Sequence, residues 1–100
     1  MDLAAKKEAI TKLVEKLEKS NEREPSVRRE LANDRAALER IDDMVDNGDP
    51  LPPGFAYDGF IEWRDAVEKQ IATSEKSLLN IAEQRIEIEA LRYYLDNISE

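Results

Sequence analysis

The chain has 100 residues, 41% hydrophobic and 38% charged, with a formal net charge of −8, which fits one small domain with a modest core and leaves little room for a second. Affinity for a phosphate backbone comes from clustered Lys and Arg, and here the basic residues are interleaved with a larger number of acids, so direct binding to nucleic acid or to an anionic membrane is not expected. Histidine and cysteine are both absent, which excludes a disulfide framework, Ser-His-Asp and Cys-His catalysis, structural zinc, haem ligation and ordinary imidazole acid-base work.

The N-terminus Met1-Asp2-Leu3-Ala4 lacks the basic start and apolar run of a secretory leader. No apolar stretch approaches the ~20 residues of a membrane span, so a cytoplasmic protein is expected. Asp2 is placed to cap a first helix over about 2–20, whose apolar seam is Leu3, Ile10, Leu13, Val14 and Leu17. Glu8 with Lys12 and Glu15 with Lys19 are favourable pairs four residues apart on its wet side. Ser20-Asn21-Glu22-Arg23-Glu24-Pro25 is poor in helix formers, and a proline inside a helix costs roughly 3 kcal/mol, so a break or kink is predicted just before Pro25. Pro25 then suits the first turn of a second helix, with Glu24 or Ser26 as its cap.

That second helix is expected over about 25–46, with Val27, Leu31, Leu38, Ile41 and Val45 in its seam and Met44 beside it. Asp34 falls within the same seam, and no other acid faces inward so clearly on this pattern. A carboxylate there must turn to water or pair with an arginine of another helix. Heptad counting carries the seam across the break in phase, through Leu3, Ile10, Leu17, Glu24, Leu31, Leu38 and Val45. The first two helices can therefore act as one kinked arm against a third, or the first can fold back on the second.

Residues 47–57 form the one real loop, stopped by Gly48, Pro50, Pro52, Pro53 and Gly54. Leu51, Phe55 and Tyr57 either close the end of the bundle, with Phe55 or Tyr57 folded on the next helix as a hydrophobic staple, or form a recognition tip. The acidic run Asp42 to Asp49 is no calcium loop, because alignment on Gly48 puts Val45 and Gly54 where oxygen ligands are required.

From Asp58, a plausible cap, a helix of about forty residues and roughly 60 Å is expected over about 58–98. Its first half carries one stripe of Phe60, Trp63, Val67 and Ile71. Its second half carries two arcs, one of Leu78, Leu79, Ala82, Ile86, Ala90 and Tyr93, and one of Ile81, Ile88, Leu91, Leu95 and Ile98. Arg85, Arg92 and Glu89 lie between the arcs, where the arginines can reach a facing carboxylate and fix register or partner choice. Two apolar arcs call for two neighbours, so a homodimer or a bound protein is expected.

Glu15-Lys16-Leu17-Glu18 and Glu39-Arg40-Ile41-Asp42 give the spaced acids ExxE and ExxD. This pattern resembles that of the MazG-type all-helical nucleotide pyrophosphohydrolases, and the resemblance implies magnesium held between helices. With Leu17 in the seam, however, Glu15 and Glu18 are expected on the side away from any cleft, as part of a solvated, salt-bridged face.

The fold class expected is therefore all-α, an antiparallel helical hairpin or three-helix bundle with coiled-coil-like packing and one long C-terminal helix. No enzymatic activity, cofactor or metal is expected. The function expected is a protein-protein interaction module, an adaptor, assembly factor or small inhibitor, of a type familiar among phage and mobile-element accessory proteins. Its binding residues are Leu51, Phe55 and Tyr57 at the tip and Trp63, Arg85, Ile86, Arg92, Tyr93 and Tyr94 on the long helix, because aromatic and arginine side chains supply most interface anchors. An acidic mimic of nucleic acid is the alternative, opposed by Lys6, Lys7, Lys12, Lys16, Arg28, Arg29, Lys69 and Lys76, which dilute the field.

Overall fold

A computed structural model describes residues 2–98 and contains three helices, α1 (Leu3–Asn21), α2 (Glu24–Asn47) and α3 (Phe60–Asn97), with no strand among the described residues. The all-α class follows from the sequence pattern, and the architecture is that of helices paired antiparallel. The chain divides into two compact units, residues 1–25 with 78–100 and residues 26–77.

In the first unit α1 pairs with the second half of α3. Asp2 caps α1 as expected, its side chain accepting from the Ala5 N–H at 2.7 Å. Val14, Ile81 and Ile88 form the buried core, with Leu3, Ile10, Leu17, Leu91, Leu95 and Ile98 half-buried around them. Leu13, which the periodicity assigns to the seam, is 40% exposed because Val14 takes the inward position at that turn. Glu8 and Lys12 pair at 3.2 Å on the wet side. Ion pairs from Glu24 to Arg85 and from Glu18 to Arg92 run in opposite chain directions, which fixes the pairing as antiparallel. The partner of α1 is thus α3, and within this unit the hairpin arrangement holds.

The break before Pro25 is short. Only Glu22 and Arg23 leave the helical pattern, and Glu22 keeps right-handed helical dihedrals (φ −61°, ψ −19°) while its N–H bonds to the Lys19 carbonyl at 3.2 Å. Pro25 then occupies the first turn of α2, where its missing N–H has no intrahelical acceptor to lose.

In the second unit α2 packs on the first half of α3. Leu31, Ile41 and Val67 are buried, and Ile41 is fully enclosed at 0% exposure. Arg64 reaches Asp42 at 3.5 Å and Arg35 reaches Glu75 at 3.4 Å, again antiparallel. Val45 turns outward at 52% exposure although the heptad places it in the seam, because α2 ends at Asn47 and its last turn outruns the apolar cover.

Gly48 follows with a φ of 71°, the left-handed conformation that commonly ends a helix. The long helix starts at Phe60, two residues later than Asp58 suggested. Gly59 supplies the carbonyl that accepts from the Trp63 N–H at 3.1 Å, and the Glu62 carboxylate folds back over Gly59, so a methyl group there would meet its Oε2 at 2.7 Å. That return of the third helical residue resembles half of a capping box, with glycine in place of the usual Ser or Thr.

Candidate functional site

The second half of α3 carries apolar residues on opposite sides, so the helix has little net amphipathicity over its whole length. The arc of Ile81, Ile88, Leu91, Leu95 and Ile98 is the one that α1 covers, joined by half-buried Leu78. The other arc stays open. Leu79, Ile86 and Tyr93 are 66%, 69% and 71% exposed, and Ala82 and Ala90 between them are exposed too. At 100° per residue Ile86 points roughly 200° around the helix from Ile88, so cover for one arc cannot reach the other.

The margin between the arcs holds the charges. Arg85 donates from Nη2 to Glu24 Oε2, and Arg92 donates from Nη2 to Glu18 Oε2. The two pairs differ in setting. The Glu24 side chain retains 12% exposure and sits in phase with the apolar seam, whereas Glu18 retains 43% and lies at the rim. The arginine side chains are both more than half exposed, as long basic side chains are when their charged heads reach a carboxylate at the rim. Asn21, Glu22, Ile88 and Glu89 complete a shallow groove around them.

The expectation for Arg85 and Arg92 thus finds carboxylates, but the inward-facing acid is Glu24 and not Asp34. Among the described residues no arginine salt bridge reaches Asp34. It is half-buried and lines a groove with Glu30, Lys69, Gln70, Thr73 and Ser74, where water can reach it. Heptad arithmetic alone put Glu24 in the seam, and the signal was masked by its place beside Pro25, where an acid also reads as a helix cap.

Tyr94, 39% exposed, holds its ring 5.4 Å from Lys6 Nζ, a cation–π contact between α3 and α1. At the other end of α3 the predicted tip residues pack on one another. Phe55 meets Trp63 edge-on at 4.5 Å between centroids and Tyr57 at 5.8 Å, and Trp63 stacks with Phe60 at 6.3 Å. Phe55, Tyr57 and Trp63 are half-buried in this cluster, which closes the loop onto the first turn of α3, and Leu51 is half-buried as well. That is the staple arrangement, and it leaves Ile61, 75% exposed, as the outward apolar residue of that turn.

Glu18 pairs with Arg92 instead of projecting away from α3, which corrects the expected placement of that acid. Among the described residues no group of three or more acids is placed to hold a metal ion. No described helix is long and apolar enough to cross a membrane. Compared with known proteins, the chain matches no family model, no curated protein and no solved structure.

Proposed function

We propose that this protein is a non-enzymatic protein-interaction module, an adaptor, assembly factor or small inhibitor, that binds through the open arc of α3. The observation that carries the reading is the exposure of Leu79, Ile86 and Tyr93, at 66%, 69% and 71%, in one line on a helix whose opposite side is already packed. Large apolar residues scattered singly on a surface need no explanation, whereas a contiguous line of them marks a contact surface. Tyr93 adds a large ring with a polar tip, a composition typical of interface anchors, and the Glu24–Arg85 and Glu18–Arg92 pairs hold the helix that presents it.

The test places a photo-crosslinking amino acid at Ile86 in the full chain, with the same group at Asn80, which is also exposed on α3, as the control. Irradiation in the source cell is expected to give a discrete protein adduct from position 86 and none of comparable yield from position 80. Equal diffuse labelling from both positions would overturn the reading.

A further inference from the structure

The end of α2 and the start of α3 enclose a groove of about 460 Å³ within the second unit, and none of its lining residues belongs to the open arc of α3. Buried Ile41 and half-buried Phe60 line it together with Val45 and Ile61, which remain 52% and 75% exposed. Its polar lining is Asp42 and Asp46 from α2 and Arg64 from α3. Two large aliphatic side chains left in water on facing helices, above an apolar base, mark a place for an apolar side chain from outside the chain.

Charge decides what that side chain belongs to. Residues 41–68, the segment that builds the groove, carry eight acids and one base, Arg64, a net charge of −7, whereas the other 72 residues carry fifteen acids and fourteen bases. Nearly the whole net charge of the protein is gathered in this segment. Asp46 and Asp65 are exposed, and among the described residues no salt bridge reaches either of them. Arg64 shows how these acids hold a cation, its Nε lying 3.5 Å from Asp42 Oδ1 and 3.4 Å from Glu68 Oε1. Like charge repels a second copy of this surface, a nucleic-acid backbone and an anionic membrane alike. A neutral apolar segment would desolvate the acids and leave them unpaired.

We propose that the groove is the docking site of a basic amphipathic helix from another protein, whose apolar line enters between Val45 and Ile61 and whose flanking lysines or arginines meet Asp46 and Asp65. The spacing of the walls suits a helix. On α3, Ile61, Asp65 and Glu68 follow at steps of four and three, and on α2 Asp42 precedes Val45 by three, so each wall sets a carboxylate one turn from its apolar residue. A helix with leucine or isoleucine on one line and basic residues a turn away presents the matching order. The inference does not rest on the reading of the α3 arc. It adds a second contact surface, as an adaptor requires.

The probe is a fluorescently labelled, helix-forming peptide of about 15 residues, with leucines along one line and lysines beside them, titrated into the full chain at about 50 mM salt and followed by anisotropy. Saturable binding with a dissociation constant of about 10–100 µM is expected, weakening as salt rises and at least ~10-fold weaker when the leucines are replaced by serines. Ile61→Ser, and separately the pair Asp46→Asn with Asp65→Asn, are each expected to weaken it by ~10-fold or more; all three positions are exposed, so the fold does not depend on them. The pair Glu83→Gln with Glu87→Gln, exposed on α3 outside the acidic segment, removes the same charge and is expected to leave the affinity within ~2-fold.

Absence of saturable binding up to ~1 mM peptide would overturn the proposal. Equal affinity for the serine peptide would do the same, since attraction to the acids alone needs no groove. An equal loss from the Glu83 and Glu87 pair would place the effect in the charge of the whole chain and refute the site. If Ile61→Ser leaves binding intact while Ile86→Ser abolishes it, the peptide sits on the open arc, so the groove is refuted and the interaction reading of the arc stands.

Discussion

The Glu24–Arg85 pair is asymmetric, and that asymmetry predicts opposite outcomes for its two halves. The Glu24 side chain is 12% exposed and the Arg85 side chain 58%, so the acid has more to lose from the break than the base, which can turn to water. Arg85→Ala leaves a carboxylate at the edge of the core with its long-range partner gone. A fully buried ion pair broken this way costs about 3–5 kcal/mol, and with water within reach of the rim the expected loss is about 1–3 kcal/mol. Glu24→Leu removes the charge and continues the seam of Leu17 and Leu31. Burying the leucine contributes roughly 1.5–3 kcal/mol, against which stand the lost acid in the first turn of α2, at about 0.3–1 kcal/mol, and a pair whose net worth is near zero. A gain of about 1 kcal/mol is expected.

Urea denaturation followed by circular dichroism at 222 nm measures both variants, and for a chain of this length each kcal/mol is worth about 4–8 °C in Tm. In a thermal melt Arg85→Ala should therefore unfold about 4–24 °C below the parent and Glu24→Leu several degrees above it. The reasoning fails if Arg85→Ala is as stable as the parent, or if Glu24→Leu is the more damaging of the two.

Ile41 and Ile81, at 0% and 1% exposure, are the most enclosed side chains of their respective units, and truncation of either to alanine should cost about 2–5 kcal/mol by the same denaturation assay. Phe55→Ala should remove the edge-on cover from Trp63, red-shifting the tryptophan emission and costing about 1–3 kcal/mol; an unchanged spectrum would mean that the loop does not close on α3 in solution.

Helix identity and boundaries were largely legible in the chain itself. The repeat of Phe60, Val67, Ser74, Ile81, Ile88 and Leu95 at intervals of seven marks the inward line of α3, and the proline and glycine cluster from Gly48 to Gly54 leaves no alternative to a connection there. The doubled apolar pattern of the second half of α3 was legible too, and it is the basis of the proposed contact surface. Local signals misplaced the start of α3, because Asp58 is the better cap by composition while Glu62 folding back over Gly59 is a contact between side chain and backbone that composition does not record.

What the sequence by itself determined is periodicity: which residues share a line on each helix, and that α3 has one line too many for a single neighbour. What only the tertiary structure decided is which line is covered and which acid is drawn inward. Phase along the first two helices depends on whether Glu22 and Arg23 preserve or lose helical dihedrals at the break, and a proline two residues on reads as a loss. Because Glu22 stays in the right-handed helical region, Glu24 remains in step with Leu17 and turns toward Arg85; Asp34, half-buried within α2, lines the groove beside Lys69. The dihedrals of that short break decide whether Glu24 is drawn inward, and single-residue propensities do not encode them.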